Sequence, residues 1–153
     1  MTNDEAIKAV DEAFAGVARP ALFIRGTCGC EECVEHNATM AAFDPKDLPL
    51  DALDNPGWNP ICFASDEAFK YLIPGLTRLV FKHPEDYFWQ YLVNLNGTER
   101  MACLSVRQAA ALLSVLSVLD EAHSRTIDDG CGRDEFLQVK AGLERVTRRS
   151  KLS

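Results

Sequence analysis

The sequence lacks any segment that could cross a membrane. Its longest apolar run, residues 109–119, is interrupted by two serines and is much shorter than the roughly 20 residues that span a bilayer. The first ten residues carry two acidic side chains and no continuous apolar stretch, so they do not resemble a secretory signal. We therefore expect a soluble, cytoplasmic protein without a membrane partner.

Basic residues are too few for a protein that binds nucleic acid. The chain has 16 Lys and Arg against 23 Asp and Glu, a net charge of -7, whereas such binding depends on neutralising phosphates. The sequence also has no glycine-rich phosphate loop and no serine nucleophile elbow. We therefore exclude nucleic acid as a partner and, since no catalytic machinery is identified, favour a non-enzymatic role.

The overall composition of the chain is typical of a folded protein. The 153 residues are 47% hydrophobic and 25% charged, which fits one domain with one core. Apolar residues recur three and four positions apart, as on one face of a helix. This spacing predicts six helices: at about 3–17, at 31–43, after Ser65 with a kink at Pro74, from Pro84 to the Asn96-Gly97 turn, at 106–123, and around Phe136 to Val146.

We therefore predict a single all-α domain over residues 1–153, orthogonal or bundle-like, with at most two very short strands. The helix around Pro74 is expected to pack on the helix after Ser105. Residues 44–60 contain four prolines and predict a long irregular loop with one helical turn at 50–53. Residues 145–153 form a basic tail.

A cluster of cysteine and histidine residues is the most informative local feature. Cys28, Cys30, Cys33 and His36 fall within nine residues, and thiolate and imidazole are the preferred ligands of tetrahedral zinc. If a helix begins near Glu31, the first two cysteines lie on the preceding loop, while Cys33 and His36 project from one helical face. These four residues are our candidate ligands for a structural zinc ion.

Three alternatives stay open at the sequence level. The usual zinc pattern joins two separated pairs of ligands, so Cys131 or His123 could replace a local ligand. Cys30 and Cys33 could instead form the dithiol of a thiol oxidoreductase, although the neighbouring glutamates disfavour a thiolate. Finally, the cysteines could be small buried apolar residues in a metal-free acidic module that binds a basic protein partner.

Several short blocks of the sequence carry a family resemblance. The blocks are residues 30–36 (CEECVEH), 58–63 (WNPICF), 65–71 (SDEAFKY) with Pro74, and 105–108 (SVRQ). Together they resemble a bacterial family of small helical proteins of unknown function, over about residues 20–122. The resemblance implies a bacterial source and a helical fold, and it supplies no catalytic residues.

Overall fold

Eight α-helices make up most of the chain in a computed structural model that describes residues 1–26 and 28–149, with Thr98 and Cys131 described by their backbone alone. The helices are α1 Asn3–Phe14, α2 Glu31–Ala42, α3 Leu50–Leu53, α4 Asp66–Lys82, α5 Pro84–Leu95, α6 Thr98–Ala102, α7 Val106–Thr126 and α8 Arg133–Arg148. A 3-10 helix covers Pro60–Phe63, and a π-helical turn covers Ile127–Cys131. This is the single all-α domain that the apolar spacing predicts.

Serine side chains cap the starts of α4 and α7. The Ser65 hydroxyl accepts the Ala68 N–H at the start of α4. Ser105 and Gln108 form a capping box at the start of α7, which satisfies two N–H groups that have no partner within the helix. α4 runs through Pro74 as one helix. α7 extends past its predicted end, but His123 has non-helical backbone angles (φ -134°, ψ 33°).

The packing of the helices differs from expectation in one respect. α7 lies at the centre against α1 and α8, whereas α4 packs chiefly against α1 and α5. The predicted direct packing of α4 on α7 is therefore wrong as a main contact, and both helices instead contact α1 and α5. No helix of the described residues is both long enough and apolar enough to cross a membrane.

The segment before α2 is held by hydrogen bonds to other parts of the fold. The Phe23 N–H donates to Asn37 Oδ1 on α2 (2.8 Å), and the Arg25 N–H donates to the Phe63 carbonyl oxygen (3.0 Å). Ile24 forms an isolated bridge with Ala64, and no strand occurs in the described residues. These contacts place residues 23–25 beside the 3-10 helix and direct the chain into the start of α2.

The two irregular regions are placed as follows. Within the proline-rich stretch 44–60 the predicted helical turn is α3, and Leu48 and Leu53 are buried. Of the basic tail 145–153, residues up to Arg148 belong to α8, and residues 150–153 lie outside the described part of the chain.

Candidate metal site

The cysteine cluster is built where the chain turns into α2. Cys30 is the N-cap residue, with extended backbone angles, and its Sγ accepts the backbone N–H of Cys33 at 3.4 Å. Ser, Thr, Asp or Asn usually supplies this contact with an oxygen. The helix begins at Glu31 as predicted, so Cys28 and Cys30 lie before it and Cys33 lies in its first turn.

Three of the four predicted ligands come together. The Sγ atoms of Cys28, Cys30 and Cys33 lie within 4.8 Å of one another, and those of Cys28 and Cys30 are 3.2 Å apart. With Zn–S bonds of about 2.3 Å, two ligands of a tetrahedral zinc ion lie about 3.8 Å apart. The three sulfurs could therefore hold one metal ion after small side-chain rotations.

The three cysteines differ in exposure. Cys28 and Cys30 are exposed, whereas Cys33 is 9% exposed and belongs to the hydrophobic core. A metal ion at this site would therefore lie at the protein surface, anchored from below by the buried sulfur.

The thiols also differ in acidity. Hydrogen bonds from the Cys30 backbone N–H and from the neighbouring thiols lower the pKa of Cys28. Cys33 shows the opposite effect: its hydrogen bonds to Cys28 and Cys30, together with burial, raise its pKa to about 12. A hydrogen bond that a thiol donates favours its protonated form. Without metal, the lowered pKa of Cys28 favours its thiolate, whereas the raised pKa of Cys33 keeps that thiol protonated.

His36, the fourth predicted ligand, is not part of the group of mutually close ligand atoms. Its side chain is 1% exposed, and its ring stacks on Phe63 (centroids 4.4 Å apart) and lies tilted against Trp58 (4.7 Å). His36 Nε2 lies 3.6 Å from a Glu32 carboxylate oxygen and has no hydrogen-bond partner among the described residues. The ring is thus fixed in place, while one buried nitrogen is left unsatisfied.

The aromatic surroundings of His36 do not follow from the sequence pattern. In the structure the rings of Trp58 and Phe63 both pack on this histidine. The two aromatics are far from His36 in the chain, and no periodicity links them to it. The WNPICF block (58–63) is the only local signal, since it carries both aromatics.

Neither of the two alternative ligands, His123 and Cys131, is seen to join the cysteine cluster. His123 is half-buried on α7 and does not belong to the cysteine group. The side chain of Cys131 lies outside the described part of the structure. Among the described thiols, Cys62 and Cys103 are free and exposed at separate places. For the oxidoreductase hypothesis, the sulfurs of Cys30 and Cys33 lie within 4.8 Å of each other, and Cys28 provides a further sulfur 3.2 Å from that of Cys30.

Comparisons of the chain with protein-family models, with curated proteins and with solved structures find no match. The geometry of the three sulfurs is therefore the main evidence on function, and it supports a cluster that could bind a metal ion.

Proposed function

We propose that this protein binds one zinc ion through Cys28, Cys30, Cys33 and His36, and that the ion has a structural role. The observation that carries the proposal is the mutual proximity of three sulfurs within 4.8 Å. Thiolate and imidazole together suit zinc better than calcium or magnesium, which prefer oxygen ligands.

The buried nitrogen of His36 supports its assignment as the fourth ligand. An unsatisfied polar atom in the interior costs about 1–3 kcal/mol, and His36 Nε2 is such an atom. His36 also lies one helical turn after Cys33, so both side chains leave α2 on the same face. Coordination to a metal ion would give Nε2 the partner that it lacks and would supply the fourth ligand of a tetrahedral set.

A structural role follows from the ligand count. Four protein ligands leave no open position for water or substrate, which distinguishes structural from catalytic zinc sites. The ion would tie the loop cysteines to α2, and His36 already joins α2 to the proline-rich loop through Trp58. We further propose that the protein acts in the cytoplasm of a bacterium, where reducing conditions keep such thiols available for a metal.

Thermal unfolding with and without zinc tests the proposal. At a free zinc concentration of 100 times Kd, binding adds about 2.7 kcal/mol to the free energy of unfolding, which for a protein of this size raises Tm by about 5–11 °C. We expect this shift in the wild-type protein, followed by circular dichroism. The metal-free protein should already be helical, because the core around α7 does not include the exposed sulfurs.

Two matched serine variants show whether the zinc-induced rise in Tm depends on the proposed ligands. Cys33→Ser removes a proposed ligand, whereas Cys103→Ser removes a free, exposed thiol elsewhere. Zinc should raise the Tm of Cys103→Ser as in the wild type and leave that of Cys33→Ser unchanged, each compared with its own metal-free form. An equal zinc-induced shift in both variants, or no shift in the wild type, would overturn the proposal.

A further inference from the structure

We propose that Cys28 and Cys30 are a peroxide-sensitive dithiol that closes to a reversible disulfide and thereby releases the metal. The release rests on the zinc site proposed above, whereas the formation of the disulfide does not. This pair differs from the Cys30 and Cys33 pair of the oxidoreductase hypothesis.

The short distance between the two sulfurs favours formation of a disulfide between Cys28 and Cys30. The Cys28 and Cys30 sulfurs are 3.2 Å apart, and a disulfide bond of about 2.05 Å requires them to approach by little more than 1 Å. Apart from the two cysteines beside it, no atom of the described residues lies within 4 Å of the place where a Cβ of Gly29 would stand. The backbone between the two cysteines therefore has room to adjust as the bond forms.

Solvent exposure also favours oxidation of Cys28 and Cys30. Cys28 and Cys30 are both accessible to a small oxidant, whereas Cys33 is largely buried in the first turn of α2. The other free thiols of the described residues have no sulfur partner: the Cys62 thiol faces Asn94 Oδ1 (3.8 Å) and the Cys103 thiol faces Asp66 Oδ2 (3.5 Å). Oxidation to an intramolecular disulfide is therefore directed to residues 28 and 30.

The chemistry is balanced with one peroxide molecule as the oxidant. The first exposed thiolate attacks a peroxide oxygen, the O–O bond breaks, and the products are a sulfenic acid and hydroxide, which takes up a proton to become water. The second thiol then attacks the sulfenic sulfur, the new S–S bond forms, and a second water leaves. The two sulfurs together lose two electrons, and a dithiol reductant restores them by exchange.

Loss of the metal follows from the ligand count. A disulfide sulfur is not a thiolate, and zinc binds the thiolate. Closure of the Cys28 to Cys30 bond removes two of the three sulfurs, and Cys33 with His36 would be left as an incomplete ligand pair. The cluster would then hold zinc under reducing conditions and release it on oxidation.

Peptide mapping tests the pairing directly, because the sequence places Glu31 and Glu32 between Cys30 and Cys33. Metal-free, reduced protein is treated with one equivalent of hydrogen peroxide, its remaining thiols are alkylated, and it is digested with trypsin and a glutamate-specific protease. We expect a peptide of residues 26–31 that lacks two hydrogen atoms and carries no alkyl group, together with alkylated Cys33. A Cys30 to Cys33 cross-link, or alkylation of all three cysteines, would overturn the proposal.

Variants and a metal readout separate this proposal from the zinc site. Cys33→Ser keeps the dithiol and should still form the disulfide, whereas Cys28→Ser should not. In zinc-loaded wild type, peroxide should release the full equivalent of zinc to a chromophoric chelator, and dithiothreitol should restore binding. If the disulfide forms but the protein never binds zinc, the zinc site fails and the dithiol stands. If zinc binds and the mapped disulfide is absent, the dithiol proposal fails and the zinc site stands.

Discussion

At the scale of single residues, the thiols of the cluster hold their protons unequally. The pKa of Cys28 is lowered by hydrogen bonds from Cys30, while that of Cys33 is raised to about 12 by hydrogen bonds to Cys28 and Cys30 and by burial. In the metal-free protein, the raised pKa of Cys33 stabilises the folded state at any pH below the ordinary pKa of a thiol. That contribution is lost as pH rises through about 12.

Zinc binding should therefore release protons and weaken in acid. Because zinc binds thiolates, it must displace the Cys33 proton at any pH below about 12. We expect the affinity for zinc to fall by at least about tenfold for each unit that pH is lowered between about pH 8 and pH 6. Competition with a chromophoric chelator measures this slope in the wild-type protein. An affinity that does not change with pH would contradict zinc–thiolate binding.

His36 can be tested apart from the sulfurs. Phe at this position keeps a flat ring against Phe63 and Trp58 but removes the unsatisfied Nε2. We expect His36→Phe to leave the stability of the metal-free protein unchanged or raise it by about 1 kcal/mol, as measured by urea unfolding. Its affinity for zinc should fall by about 100-fold, since even residues outside the ligand shell cost 10–100-fold. An unchanged affinity would remove His36 from the ligand set.

At the scale of elements, the irregular stretch 44–60 can lie close against α4 because position 75 is a glycine. A Cβ at Gly75 would collide with the Pro45 carbonyl oxygen and lie 2.9 Å from Leu48 Cγ. The absence of a side chain at this position lets the loop lie directly on the helix. The loop in turn carries Trp58 to His36, so this close approach supports the surroundings of the candidate site.

Substitution of Gly75 should therefore destabilise the fold. We expect Gly75→Ala to lower the free energy of unfolding by about 1–3 kcal/mol, the usual cost of overpacking, despite the gain in helix propensity of up to about 1 kcal/mol. Gly16→Ala is the matched control, because in the described part of the chain only the residues next to Gly16 lie within 4 Å of its Cβ position. Urea unfolding of both variants measures the difference. Equal stabilities would show that the loop does not depend on this contact.

The elements also show what sequence reasoning could reach. Long amphipathic helices and their caps at Ser65 and Ser105 follow local rules, and the start of α2 at Glu31 follows from the same rules. The three sulfurs converge because they are close in the chain, so their cluster could be predicted as well. α6 has only five residues, too few for a periodic pattern. The position of the His36 ring depends on aromatics from a distant loop.

At the scale of the whole molecule, the candidate site lies at the edge of the fold. α2 packs chiefly on the Pro60–Phe63 3-10 helix, whereas the central contacts join α7 to α1 and α8. We therefore expect the metal to stabilise the loop before α2 and its neighbours rather than to create the helical core. The net charge of -7 adds a general attraction for cations, so a test of the site must distinguish bound metal from loosely associated ions.

Native mass spectrometry of the whole protein is the most direct test of the central claim that three sulfurs bind one metal ion. Reduced protein is loaded with excess zinc and desalted before measurement, alongside Cys28→Ser, Cys33→Ser and the Cys103→Ser control. The account predicts one zinc ion in the wild type and in Cys103→Ser, and substoichiometric zinc in the two ligand variants. Wild-type protein without zinc, or a full equivalent retained by Cys33→Ser, would contradict it.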